Sequence, residues 1–178
     1  WLVSPGNPLK PAKGMAPLAA RLLSAERAAG RAPIRPTAIE AKLGTRYTVD
    51  TLRALRRRHP DREFVWLMGA DNLSQFHRWR AWREIAALVP IAVVSRPGYD
   101  GVARSARAMG WLRRYVRPAG KARQWTRWSK PALVLLRLPP DPTSATALRA
   151  LDPNWHRKFM NRTAGLLHSA LPTSLRRA

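Results

Sequence analysis

Three short apolar runs limit what this chain can fold into: FVWLM at 64–68, IAVVS at 91–95 and ALVLLRL at 132–138. None alternates strictly between apolar and polar residues, which is the pattern of strands covered on both faces of a parallel sheet. The segments between them read as helices. Thr48 can cap a helix over VDTLRALRRR, with Val49, Leu52 and Leu55 on one face and Arg53, Arg56 and Arg57 turned to solvent. Trp79, Trp82, Ile85 and Val89 recur three or four apart, which predicts a further amphipathic helix.

Upstream, Trp1 to Ser4 reads as the end of a strand closed by the turn SPGNPLKP. Residues 17–29 predict a helix with Pro17 in its first turn and a stop near Gly30, and 33–39 a short extended segment. A basic helix is predicted within 101–117, then a loop to Pro131. Strands alternating with helices define an α/β fold with a doubly wound, mostly parallel sheet. Residues 1–150 form that domain in this reading. Residues 151–178 are a basic C-terminal extension, weakly helical or disordered, interrupted by Pro153.

With 178 residues and no cysteine, the chain buries a core without disulfides and offers no thiolate for zinc or catalysis. That fits a reducing, cytoplasmic setting. No apolar segment reaches the roughly 18 residues needed to span a bilayer, and WLVSPGNPLKPAKG has none of the layout of a signal peptide. The charge is extreme, 33 basic against 10 acidic residues for a net +23, and 101–140 contains no Asp or Glu. Two readings fit such a field. One is an enzyme of phosphorylated substrates with an arginine-rich surface; the other is an arginine-rich protein that stacks and pairs with single-stranded nucleic acid.

Ligands of open parallel sheets bind beyond the carboxyl ends of the strands. Four stretches qualify: Pro5 to Lys10, Gly69 to Asp71, Arg96 to Gly98 and Thr143 to Arg149. In PTSATALR, Ser144 or Thr146 can cap a helix whose N–H groups favour an anion, with Arg149 a turn further in; ordinary capping explains the same residues. Asp71 is either a helix cap shared with Asn72 or a carboxylate for sugar hydroxyls. Trp79 is either core or a surface for a flat ring, where a pyridinium adds a cation–π contribution of about 0.5 to 2 kcal/mol.

The set NPLKP, GTRYTVDTL, FVWLMGADNLSQFHRWRAWREI, SRPGY and SATALR, in this order, resembles bacterial nicotinate-nucleotide adenylyltransferase over roughly residues 1 to 150. The resemblance implies a Rossmann-like nucleotidyltransferase that moves AMP from ATP to nicotinate mononucleotide, with Mg²⁺, giving deamido-NAD and pyrophosphate. It implies in-line attack without a covalent enzyme intermediate, chemistry served by positioning and charge. Ser144, Thr146 and Arg149 would hold the ATP phosphates. Tyr47, Thr48 and Trp79, with the backbone around Arg80, would receive the nicotinate ring and its carboxylate. Asp71 would contact the ribose, with Arg96 nearby, and Asn7 and Lys10 would border the phosphate path. A phosphopantetheine-type relative is disfavoured, because a flexible arm offers no ring to stack on the tryptophan-rich block.

One departure is plain. The family's glycine-rich turn followed by His-x-Gly-His does not occur, and His59, His77, His156 and His168 do not form it. The resemblance therefore implies a family member without its first strand-helix unit, about 35 residues by the size of a βαβ element. Weak binding of the mononucleotide and little adenylyl transfer are the expectations for these residues alone, and no catalytic residue or protein metal ligand is assigned.

Overall fold

The structure, a computed structural model, describes residues 1–6, 8–9, 14–99, 101, 104–139, 143 and 145–160. The chain divides into two compact units, Trp1–Arg46 with Thr143–Ala178, and Tyr47–Pro142.

The second unit holds the sheet. Strands β1 (Trp66–Gly69), β2 (Ile91–Val94), β3 (Val116–Arg117) and β4 (Leu133–Leu136) lie in the order β1-β2-β4-β3, all parallel. The predicted run at 64–68 enters the sheet two residues late, because pairing starts where the Trp66 N–H donates to the Pro90 carbonyl at 2.8 Å. Gly69 stands opposite Val94 in register, so β1 and β2 end together. Two-residue β3 has no run long enough to show a period in the sequence.

Along the strands, Met68, Ile91, Val93 and Leu133 point into one core with Val49, Leu52, Leu73, Phe76, Ile85, Val89 and Leu112. Phe76, Leu73 and Ile85 are fully buried, and each such side chain contributes about 1.5–3 kcal/mol of transfer free energy. The helices covering this face are α3 (Thr48–Arg58), α4 (Ala70–Gln75), α5 (Trp82–Leu88) and α6 (Met109–Leu112). Leu67, on the opposite face of β1, is 61% exposed.

In the first unit, α1 (Leu18–Ala29) begins after Pro17 and stops at Gly30, whose φ of 51° suits glycine. The chain also forms α2 (Ile39–Leu43), α7 (Ala145–Leu151) and α8 (Arg157–Met160). The predicted first strand reduces to one parallel bridge between Leu2 and Thr37. Arg21 of α1 ties down the turn that follows, its guanidinium donating to the carbonyls of Ser4 at 2.6 Å and Pro5 at 3.1 Å. Burial lowers the Arg21 pKa.

Other expectations also change. Thr48 does not cap α3: it is the first helical residue, and Tyr47 holds the cap position, its carbonyl accepting from the Asp50 and Thr51 N–H groups. The helix predicted through Trp79, Trp82, Ile85 and Val89 is broken. A 3₁₀ turn (Phe76–Arg78) leads into an extended Trp79, and α5 begins only after Ala81 turns left-handed at φ 48°. Arg53 is at the surface as expected, its side chain 41% exposed, and it also joins two helices through ion pairs. Within 101–117, Gly101 and Arg104 are helical, α6 and a 3₁₀ turn (Arg113–Tyr115) follow, and a long 3₁₀ segment (Ala119–Arg127) stands where a loop was expected.

Candidate functional site

Because β1 and β2 are adjacent and in register, the residues just past their ends are neighbours. Asp71 lies in the first turn of α4, Arg96 two residues beyond β2, and Arg96 Nη1 donates to Asp71 Oδ2 at 3.2 Å. The other carboxylate oxygen, Oδ1, is buried with no hydrogen-bond partner among the described residues. It occupies the space where a side chain on Gly69 would begin, which explains a glycine at the last position of β1. The cap position of α4 belongs to Gly69, so Asp71 is not the cap. A half-paired carboxylate at a strand end is an acceptor for hydroxyl donors.

Trp79 packs edge-on to Phe76, with ring centres 5.4 Å apart, and to Trp66 of β1 at 6.0 Å. Both contacts are T-shaped, worth about 0.5–1.5 kcal/mol each beyond area burial. Trp79 remains half-buried: its ring is anchored to the core and reaches the surface. Trp66 Nε1 and His77 Nδ1 are buried without partners among the described residues.

Next to it, the Arg80 guanidinium lies over the Tyr47 ring, 4.8 Å from the ring centre. Arg80 Nη1 also approaches Asp50 Oδ2 at 3.6 Å. Asp50 Oδ1 accepts from Arg53 at 2.9 Å, and Arg53 in turn grips Glu84 of α5 with two bonds of 2.6 and 2.7 Å. The hydrogen bond to Glu84, reinforced by the charges of Glu84 and Asp50, holds the Arg53 pKa above its usual value. Asp50, Glu84 and Ala81 were not singled out from the sequence, and Arg53 only as a solvent-facing arginine. The only available signal was the i, i+3 spacing of Asp50 and Arg53.

Among the predicted residues, the structure pairs Asp71 with Arg96 and Tyr47 with Arg80, and sets Thr48 at the start of the same helix. Asn7, Lys10 and Ser144 lie outside the described residues, as does the side chain of Thr146; Arg149 is exposed on α7. Among the described residues, no group of three His, Cys, Asp or Glu side chains could hold a metal ion. Among them, too, no helix is long and apolar enough to cross a membrane.

A parallel sheet with polar side chains gathered past its strand ends is the architecture of nucleotide-handling α/β proteins. Residues 1–151 match the family described as cytidylyltransferase-like. The chain is 64% identical to a probable nicotinate-nucleotide adenylyltransferase of Erythrobacter litoralis (strain HTCC2594), over 89% of this chain and 73% of that protein. Proteins of the same description from Gluconobacter oxydans (strain 621H) and Bradyrhizobium sp. (strain BTAi1) are 49% and 46% identical, over 84% and 87% of this chain and 77% and 81% of theirs. The chain belongs to the cytidylyltransferase-like family and, within it, to the nicotinate-nucleotide adenylyltransferases. The reading as a nucleic-acid-binding protein finds no support in these relatives.

Proposed function

We propose that this protein serves NAD biosynthesis in the cytoplasm, transferring AMP from ATP to nicotinate mononucleotide with release of pyrophosphate. Family membership supports the reaction. The observation that carries the site is the Asp71–Arg96 pair at the ends of adjacent strands, where the Asp71 side chain stays 28% exposed. Asp71 accepts from ribose hydroxyls and Arg96 fixes the orientation of that carboxylate. Trp79 offers its ring to the pyridine, while Tyr47, Thr48 and the backbone at Arg80 border the ring's carboxylate.

Ser144, Thr146 and Arg149 hold the ATP phosphates in this reading, with Asn7 and Lys10 beside their path. Mg²⁺ fits as an ion carried by those phosphates, since it keeps several waters and uses few protein carboxylates. It would supply charge neutralisation on the phosphates. The residues of this chain contribute binding and orientation, and the sequence contains no His-x-Gly-His to act on ATP.

Calorimetric titration with nicotinate mononucleotide tests the site independently of turnover. Saturable binding that is lost in Trp79→Ala and weakened in Asp71→Ala is the expected result. Binding of single-stranded oligonucleotide that falls steeply with salt, with no mononucleotide binding, would sink it.

A further inference from the structure

Arg80 is held differently from its neighbour Arg53. Arg53 spends Nε, Nη1 and Nη2 on the carboxylates of Glu84 and Asp50. Among the described residues, Arg80 has one flat contact with Tyr47 and one ion pair with Asp50 at 3.6 Å, longer than a hydrogen bond, and its side chain is 59% exposed. Its backbone is fixed on both sides. The Trp79 N–H donates to the Phe76 carbonyl at 2.9 Å, the Trp82 N–H to the Trp79 carbonyl at 3.2 Å, and the Glu84 N–H to the Ala81 carbonyl at 2.9 Å. What the backbone leaves open is the direction of the guanidinium, and Asp50 sets it from one edge while the Tyr47 ring sets its plane.

We infer that Asp50 is a positioning residue that fixes substrate choice, aiming the Arg80 guanidinium so that it pairs with a carboxylate on the pyridine ring. The inference rests on the reading of the site given above. The donors left on Arg80, rather than net charge, explain why an acid is favoured over an amide. Two arginines face two carboxylates, Asp50 and Glu84, so the cluster is neutral, and Arg53 already saturates Glu84. The weakly held guanidinium of Arg80 is the group with N–H donors to spare. A planar guanidinium takes a carboxylate through two parallel charge-assisted bonds, whereas a carboxamide presents one acceptor and an opposing donor. With Asp50 neutral, Arg80 still carries its charge but no longer points in one direction, so general attraction for anions persists while selectivity falls.

The test compares dissociation constants for nicotinate mononucleotide and nicotinamide mononucleotide in the unaltered chain, Asp50→Asn, Arg80→Ala and the double variant, with melting curves for each. The unaltered chain is expected to favour the acid. Each single variant should cut that preference by about ten-fold, the scale of a lost charge-assisted bond pair, and the double variant should cut it no further. An unchanged preference in Asp50→Asn, an equal loss of both ligands, or additive losses in the double variant would each overturn the inference. Those outcomes leave the site itself intact provided Trp79→Ala still abolishes binding. If Trp79→Ala binds both ligands normally, or the unaltered chain binds neither, the underlying reading fails and this inference with it.

Discussion

Asp71 and Arg96, 25 residues apart in the chain, meet at 3.2 Å because Gly69 and Val94 are register partners at the ends of neighbouring strands. The Asp71 side chain is 28% exposed and that of Arg96 42%, so the pair is solvent-screened and worth only about 0–1 kcal/mol to stability. Arg96→Ala is therefore predicted to shift the urea midpoint little. Mononucleotide affinity should fall by about ten-fold, as the Asp71 carboxylate loses the donor that orients it. A large stability loss with unchanged affinity would reverse that assignment.

Gly69 carries a second prediction. A Cβ at this position would collide with Asp71 Oδ1, and the carboxylate is short enough to move only by rotating away from its present place. Gly69→Ala is expected to break the contact with Arg96 and to weaken ribose binding at least as much as Arg96→Ala. The fold should survive, because Gly69 has extended backbone, φ −76° and ψ 159°, that alanine also adopts. Calorimetry beside circular dichroism separates the two effects.

Trp79 joins core and site, so its substitutions should split. Trp79→Ala removes edge contacts with Phe76 and Trp66 and, the ring being half-buried, should cost about 2 kcal/mol. Trp79→Phe keeps an aromatic ring in place and should recover most of that stability and part of the ring binding. Denaturation and ligand titration of both variants check this. Full stability with Ala would show the ring to be unpacked.

The three apolar runs made the parallel sheet legible, and the rule that ligands gather past strand ends led to both Asp71 and Arg96 before their contact was visible. The ion-pair cluster was not legible. Asp50 and Glu84 come together through the packing of α3 against α5, and nothing in an Arg-rich helix marks which arginine bridges to the neighbouring helix. The break before α5 was hidden for another reason. Trp79, Trp82, Ile85 and Val89 all pack on the core whether the chain runs as one helix or as a 3₁₀ turn, a bend and a shorter helix, so periodicity could not distinguish the two.

That bend yields the last prediction. Ala81 sits at φ 48°, ψ 41°, a conformation that costs a residue with a Cβ about 1–2 kcal/mol. It is retained because the Ala81 carbonyl receives the Glu84 and Ile85 N–H groups that start α5. Glycine removes the steric cost but adds freedom to the unfolded chain, so Ala81→Gly should lie within about 1 kcal/mol of the parent. Valine has room here, the position being exposed, yet its branched Cβ fits the left-handed region poorly, and Ala81→Val should lose about 2 kcal/mol or more. Since Arg80 precedes this residue, Ala81→Val should also lower the preference for the acid over the amide. Urea unfolding with paired ligand titrations measures both, and a valine variant as stable and selective as the parent would mean the turn does not hold Arg80.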